Sequence, residues 1–329
     1  MTTKHYNYGT AIRAGFEYLL ETYPEVFVIG QGLWSPWYVG NSMTDLDKKF
    51  GVNRIIDTPV SESACTGAAV GASLAGMRPI VVHPRMDFML YATDAIVNQA
   101  AKWSHMLGGQ AHPALTIRSI INRGGEQGAQ HSQALHAWFA HVPGLRVVMP
   151  STVKDARDLL VASVLSPDPV LYIDDRWLYE QEDELGAVEE LDLSDLGPEI
   201  KMMGDDITIV ASGHPSLLAK HAAELLLDEG VKAEVIDVRV LNPFDSSIIV
   251  DSVKKTGRLL VVDPGWESSG FSAEIMASVV EKIPVNCLTH PPARIALPNS
   301  PAPCSRKLEE HYYFSSEDIV KKTLKIIKG

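Results

Sequence analysis

Cysteine is scarce in this sequence. The 329 residues include only Cys65, Cys287 and Cys304, and these form no CxxC pair. Closely spaced cysteines mark structural zinc sites and disulfide frameworks, so the sequence argues against both. Separated thiols favour a reducing compartment, and the N-terminal residues lack the basic-then-apolar pattern of a secretory signal. We therefore expect a cytoplasmic protein.

Long apolar runs and excess positive charge are also lacking. The apolar segments are too short, or too interrupted by glycine, to span a bilayer. The formal net charge is -12, with 41 acidic and 29 basic residues. An acidic chain argues against nucleic acid and anionic membranes as main partners. The length favours two globular domains.

Common catalytic motifs contained in one chain are absent as well. The sequence has no GxSxG, HExxH or GxxxxGK[ST], and no GxGxxG after a predicted strand. These absences remove the signatures of several hydrolases, metalloproteases, P-loop proteins and dinucleotide-binding domains. Any chemistry must come from residues that are separated along the chain.

Short apolar strands alternate with helical segments along the chain. "VFVIGQG", "RPIVVHP" and "ALTIRSI" are typical of buried strands, and "TDAIVNQAAKWSHML" has helical spacing. This alternation predicts an α/β fold of two domains, each a largely parallel sheet flanked by helices. The acidic stretch 181–202 is interpreted as an exposed linker between domains 1–180 and 203–329.

Three side chains stand out within the first predicted domain. Glu62 follows "DTPVS" and opens a run of small residues, where it either supports a helix start or has a chemical task. His131 follows a glycine-rich loop, near an expected helix start that favours a neutral imidazole. Phe88 fits ordinary core packing. His131, His136 and His141 are five residues apart, so they do not share one helical face, which argues against a three-histidine metal site.

In order, "DTPVSE", "DFMLYATDAIVNQAAKW" and "GAQHSQALHAWFAHVPGLRVVMP" resemble the beta subunit of the thiamine-diphosphate-dependent 2-oxoacid dehydrogenases. "AEVIDVRVLNPFD" and "GFSAEIMASVVE" are similar to the second domain of that subunit. The resemblance covers nearly the whole chain. It implies a pyrimidine-binding transketolase-like domain followed by a transketolase C-terminal-like domain.

The resemblance also implies roles for individual residues. Glu62 matches the carboxylate that binds the aminopyrimidine ring and activates the cofactor. Phe88 matches the aromatic that stacks on that ring, and His131 matches a histidine that orients substrate or moves protons. Ser61 and Gln31 fall beside the cofactor. The expected catalytic residues are therefore Glu62 and His131.

A partner is implied because the family holds the diphosphate and Mg²⁺ through a GDG…N motif on an alpha subunit. This chain has GDD at 204–206 and no such motif. The resemblance thus implies an α2β2 assembly and a lipoyl-bearing acyltransferase as acceptor. A row of small residues could form the subunit interface or pack in a core helix, two equally open readings. It comprises Gly67, Ala68, Gly71, Ala72 and Gly76.

Family members also hold a potassium ion, mainly through backbone carbonyls. The matching positions here are Leu115, Ser163, Ser166 and Asp168, and Ser166 replaces the usual acidic residue. Potassium is therefore a further expected ion.

Several positions depart from the family pattern. Gln31 stands where an acidic residue is usual, and a glutamine keeps hydrogen bonding but does not ionise. Trp34 and Trp37 are also unusual, and "RSIINRGG" replaces an R-G-P-x-G pattern around Arg118. The leading hypothesis is a 2-oxoacid dehydrogenase beta subunit. The alternatives are a two-subunit transketolase-like or carboligating enzyme and a non-catalytic scaffold subunit.

Overall fold

The computed structural model describes residues 3–329. The chain forms two compact units: unit 1 contains residues 3–122 and 138–196, and unit 2 contains residues 123–137 and 197–329. Each unit has a mostly parallel sheet flanked by helices, which confirms the predicted fold class.

Unit 1 begins with a short strand and an amphipathic helix. Its strands are β1 (Lys4–Asn7), β2 (Val26–Gln31), β3 (Tyr38–Asn41), β4 (Ile55–Thr58), β5 (Arg78–His83), β6 (Thr116–Ile121), β7 (Arg146–Val148), β8 (Val170–Asp175) and β9 (Glu182–Leu185). Its helices are α1 (Tyr8–Thr22), α2 (Leu46–Phe50), α3 (Glu62–Leu74), α4 (Met86–Met89), α5 (Trp103–Met106) and α7 (Val153–Leu165). The division between the units falls within α6 (His136–Ala140).

Parallel pairing organises the central sheet of unit 1. The strands pair in the order β7-β8-β6-β5-β2-β4. Strands buried on both faces read as continuous apolar runs, and β5, β6 and β8 follow that rule. Because the strands are parallel, their carboxyl ends meet at one edge, where α/β proteins bind ligands.

Unit 2 has its own sheet, in the order β10-β12-β11-β14-β15. Only the β10–β12 pair in this sheet is antiparallel. The strands of this sheet are β10 (Glu199–Met202), β11 (Ile207–Ala211), β12 (Ala233–Asp237), β14 (Leu259–Trp266) and β15 (Ala293–Leu297), and a further short strand of unit 2, β13 (Val240–Asn242), lies outside it. The helices are α8 (His214–Asp228), α9 (Ser247–Thr256), α10 (Phe271–Val280), α11 (Arg306–Tyr312) and α12 (Ser316–Lys328).

The cores of both units are aliphatic. In unit 1, α1 buries Ile12 and Phe16. In unit 2, α8 and α12 pack their apolar faces on the sheet, where Leu226 and Ile319 are buried. Burial of such side chains contributes about 1.5–3 kcal/mol each. These cores hold the strand ends in place.

Residues 181–202, the predicted linker, contain secondary structure, and the division between the two units, between residues 196 and 197, falls within them. β9 pairs with β1, so Leu185 lies opposite Lys4, and β10 joins the sheet of unit 2. Leu185 and Leu193 are buried although most of the acidic side chains around them are exposed. Sparse anchors within an acidic sequence explain why its composition suggested a linker.

The helix predicted over "TDAIVNQAAKWSHML" is not one continuous α-helix. It consists of a π-helical segment, Ala95–Ala100, followed by the short helix α5. The loop at Gly144 packs against the junction, where a side chain on Gly144 would meet the carbonyl of Ala101. A π-helical turn accommodates such local disruption of a helix.

Candidate active site

Glu62 is the first residue of α3, directly after the turn that follows β4. The backbone N–H of Cys65 donates to the Ser61 carbonyl at 2.9 Å, which closes the first helical turn. The Ser61 hydroxyl donates to the Val60 carbonyl and does not cap the helix. The half-buried Glu62 carboxylate lies at the positive end of the helix dipole, where negative charge is stabilised.

A small cavity lies beside Glu62 at the carboxyl edge of the sheet. It is enclosed by the ends of β2, β4 and β5 and by the start of α3. The cavity brings together three predicted residues, Gln31, Ser61 and Glu62. The other lining residues are Gly30, Thr58, Pro59, Cys65, Val81, Val82, His83 and Pro84.

The loop after β2 holds Gln31 in one position. The Gln31 amide donates to the Tyr38 hydroxyl at 2.8 Å. Asp57 accepts from the backbone N–H groups of Gly32, at 2.6 Å, and Leu33, at 3.2 Å. Gly32 has φ 73°, and a side chain there would overlap the Tyr38 ring. The loop therefore presents a neutral, hydrogen-bonded amide to the cavity.

His83 is a site residue that the sequence interpretation missed. It is the last residue of β5, lines the cavity and is fully buried. Its Nε2 lies 3.2 Å from the Thr66 hydroxyl. Burial lowers the pKa of His83 to about 4, so the imidazole is neutral at neutral pH. Its place at the end of a predicted strand was the available signal.

Phe88 lies on α4, shortly after β5. It is half-buried and is not among the residues that enclose the cavity beside Glu62. Its stacking role stays a prediction.

His131 belongs to unit 2, whereas Glu62 belongs to unit 1. It lies in the loop before α6, five residues from the helix start, so the predicted helix-dipole effect on His131 is wrong. The loop is held locally: the His131 N–H and the Ser132 hydroxyl both donate to the Gly128 carbonyl. Gly128 has φ 71°, and a side chain there would overlap the Cys304 sulfur.

A buried histidine–aspartate hydrogen bond follows this loop within unit 2. His136 Nε2 lies 3.0 Å from Asp263 Oδ1, and both side chains are buried. Burial alone would raise the pKa of Asp263, but His136 and the N–H groups of Gly265 and Ser272 hold it below its usual value. This pair fixes the start of α6 and leaves His136 engaged. Among residues 3–329, no group of three or more acidic, histidine or cysteine side chains could hold a metal.

The predicted potassium positions lie at the end of α7 and before β6 and β8. The Leu115 carbonyl accepts from the Val170 N–H at 3.0 Å, and the Ser163 hydroxyl donates to the Leu159 carbonyl. The Ser166 carbonyl accepts from the Arg78 guanidinium at 3.2 Å, and the Asp168 carboxylate pairs with Arg146 at 3.0 Å. Potassium binding stays a prediction.

One face of α3 is bare. Gly67, Ala68 and Gly71 are exposed, and no atom lies within 4 Å of a side chain built on either glycine. These three residues are therefore not part of a packed core helix. The helices within residues 3–329 include none long and apolar enough to cross a membrane.

The donor set around the cavity suits the pyrimidine half of thiamine diphosphate. It offers one carboxylate, one neutral amide and one neutral imidazole at the carboxyl edge of a parallel sheet. These groups can share a proton with a heteroaromatic nitrogen and hydrogen-bond an amino group. Cationic side chains that would hold a diphosphate do not line the cavity.

Comparisons with known proteins identify the family to which the chain belongs. Residues 4–181 match the family described as "Transketolase, pyrimidine binding domain", and residues 198–319 match "Transketolase, C-terminal domain". The chain is 38% identical to the pyruvate dehydrogenase E1 component subunit beta-1, mitochondrial, of Arabidopsis thaliana, over 94% of this chain and 86% of that one.

A bacterial relative and a solved structure are also similar. The acetoin:2,6-dichlorophenolindophenol oxidoreductase subunit beta of Bacillus subtilis (strain 168) is 37% identical, over 86% of this chain and 82% of the relative. A structure titled "Split gene transketolase, inactive beta4 tetramer" superposes with a TM-score of 0.75, covers 98% of both chains and is 20% identical. At that identity the structural match shows the fold.

Proposed function

Because the chain belongs to the beta-subunit family of the 2-oxoacid dehydrogenases, we propose that it is the beta subunit of a thiamine-diphosphate-dependent member. The complex would decarboxylate a 2-oxoacid and pass the acyl group to a lipoyl acceptor. The observation that carries this proposal is the Glu62 carboxylate, half-buried and lining a cavity with a neutral imidazole and a neutral amide.

Thiamine diphosphate, when bound, supplies the carbon nucleophile for attack on the 2-oxo group. In this proposal Glu62 binds the pyrimidine ring nitrogen and shares a proton with it. Gln31 hydrogen-bonds in the same cavity without changing charge. Phe88 would stack on the pyrimidine, and His131 would orient substrate or move protons.

An alpha subunit is the proposed partner, in an α2β2 assembly located in the cytoplasm. It would supply the GDG…N motif that holds Mg²⁺ and the diphosphate. The exposed face of Gly67, Ala68 and Gly71 supports a close helix contact with another subunit. A lipoyl-bearing acyltransferase as acceptor and K⁺ at the 115–168 positions belong to the same proposal.

A two-subunit transketolase-like or carboligating enzyme is the second candidate. Gln31 favours it, because this amide occupies the cavity where an acidic residue is usual and is fixed by Tyr38. Without that acid, proton transfer in the site would differ, and an aldehyde or ketone could serve as acceptor. Product analysis with and without a lipoyl acceptor separates the two candidates.

The test uses the chain co-produced with an alpha subunit that carries GDG…N. Calorimetry measures thiamine diphosphate binding, and reduction of dichlorophenolindophenol measures 2-oxoacid turnover. We expect Glu62→Gln to lower turnover by about 10²–10⁴-fold, because it removes the proton-sharing carboxylate. Glu224→Gln, on the exposed face of α8, is the matched control and should retain activity. Full activity of Glu62→Gln would refute the mechanism.

A further inference from the structure

Two arginines lie at the carboxyl edge of the sheet in unit 1. Arg176 directly follows β8, and Arg85 follows β5 after one proline. β6 lies between these two strands and is followed directly by Asn122. Because the three strands are parallel neighbours, the three residues after them lie at one edge.

Hydrogen bonds connect the two guanidinium groups through Asn122. The Pro84 carbonyl accepts from Arg85 Nη1 and from Asn122 Nδ2, each at 3.1 Å. Asn122 Oδ1 accepts from Arg176 Nε at 3.3 Å. Arg176 Nη2 donates to the Tyr38 carbonyl at 3.1 Å. One side-chain amide and two backbone carbonyls therefore hold the arginines in place.

Neither of these half-buried arginines has a carboxylate within 4 Å among residues 3–329. The Arg85 Nε–H is buried and has no acceptor. A guanidinium carries five N–H donors, and most donors on both residues remain available. Asp87 partly offsets the charge, but burial and then repulsion from Arg176 lower the pKa of Arg85. Arginine does not lose its proton in proteins, so both positive charges persist.

The pair is adjacent to the cavity beside Glu62. Pro84 lines that cavity, and its carbonyl is the acceptor for Arg85. Tyr38, whose carbonyl holds Arg176, receives the Gln31 amide through its hydroxyl. A molecule at the cavity thus has two fixed cations next to it. Forked guanidinium donors match the geometry of carboxylates and phosphates.

We propose that Arg85 and Arg176 form an oxyanion site that selects a substrate or acceptor with an anionic group remote from its reacting carbonyl. The reaction at that carbonyl rests on the proposed function, whereas the anion site rests on the arginine pair. The shared chemistry is an oxyanion, and its source is either a phosphate ester or a second carboxylate.

The first test measures inorganic phosphate binding to the cofactor-loaded α/β complex by calorimetry, at constant ionic strength. Bound cofactor fills the diphosphate site and removes that alternative. We expect Arg85→Met and Arg176→Met each to weaken phosphate binding at least tenfold. Lys154→Gln removes one exposed positive charge from the same unit and should bind like the native chain. Equal binding by all four proteins would overturn the proposal.

The second test compares matched substrates. Glyceraldehyde 3-phosphate with glyceraldehyde tests a phosphate ester, and 2-oxoglutarate with 2-oxobutyrate tests a second carboxylate. We expect kcat/KM to favour the member with the remote anionic group at least tenfold in one of the two pairs, and both arginine variants to lose that preference while keeping turnover of the member that lacks this group. The proposal would be overturned if kcat/KM fell equally for both members of a pair in variants that melt at the same temperature as the native chain.

The two proposals fail separately. If the Glu62→Gln variant were fully active, the proposed function would be refuted, but arginine-dependent phosphate binding would still support the oxyanion site. If phosphate binding were unchanged in both arginine variants, the oxyanion site would be refuted, but cofactor-dependent decarboxylation would still support the proposed function. An Arg176→Lys variant that recovers only part of the binding supports forked recognition over a point charge.

Discussion

Unit 1 contains two arginine centres that differ in their partners. Arg118, on β6, is fully buried, and its guanidinium donates to both Asp174 oxygens, to Ser42 and to Tyr179. Arg85 and Arg176 are half-buried and lack carboxylate partners among the described residues. A buried charge persists in a fold when its donors are used. The comparison teaches that an arginine with a carboxylate partner and four of its five donors in use is structural, whereas an arginine with mostly unused donors is available to a ligand.

Of the substitutions considered, removal of Arg118 should lower the free energy of unfolding the most. We expect Arg118→Met to lower the free energy of unfolding by about 3–5 kcal/mol, because Asp174 would remain buried without a counter-charge. Urea denaturation of the native and variant chains measures this. Arg118→Met combined with Asp174→Leu is the control, since it removes both charges and should recover part of the loss. A loss below 1 kcal/mol for the single variant would contradict the structural role.

His83 is a buried titratable group without a carboxylate partner. Its expected effect on stability lies between those of Arg118 and the arginine pair. Its pKa is lowered to about 4 in the folded chain, from 6.5 when solvated. The unfolded chain therefore takes up a proton first, so stability present above pH 6.5 is lost as the pH falls towards 4. The loss is at most about 3 kcal/mol.

Denaturation curves between pH 7.5 and pH 4.5 measure this effect. A His83→Gln variant should show a shallower decline in the free energy of unfolding, because glutamine does not titrate. His221→Gln, on the exposed face of α8, is the matched control. Identical pH profiles for the native chain and His83→Gln would mean that burial of His83 does not set its protonation.

The smallest expected stability effect belongs to the arginine pair. Arg85→Met and Arg176→Met should each lower the free energy of unfolding by no more than about 1 kcal/mol, since neither breaks an ion pair, although Arg176 also contacts the Tyr179 ring. Removal of mutual repulsion offsets the few lost hydrogen bonds. Urea denaturation beside Arg118→Met gives the comparison directly. If either variant lowered the free energy of unfolding by 3 kcal/mol, that arginine would have a structural role like that of Arg118.

Local sequence predicted much of the scaffold. "VFVIGQG" and "RPIVVHP" correspond to β2 and β5, because short β-branched runs bounded by loop residues specify buried strands. Glu62 begins α3 where the sequence placed a helix start. The cavity also contains Gln31 and Ser61, whose contacts with the cofactor stay a prediction.

Other features depended on tertiary contacts. Nothing local in the sequence shows that His83 is buried or that Arg85 lacks a counter-charge, because both follow from which strands are neighbours. β9 forms only because β1 lies opposite it, so an acidic segment looked like a linker. The helix after Asp94 is interrupted where the Gly144 loop packs against it. Cys304, far along the chain, lies against Gly128 in the loop that holds His131.

The exposed face of α3 determines how mutations of its glycines would affect the stability of the isolated chain. Glycine inside a helix costs about 0.5–1 kcal/mol relative to alanine, and Gly67 and Gly71 lie in the interior of α3. Space is open at both positions, so the isolated chain gains nothing from them. Alanine would suit the isolated fold better at either position. Packing within the isolated chain therefore gives no reason for glycine at either position.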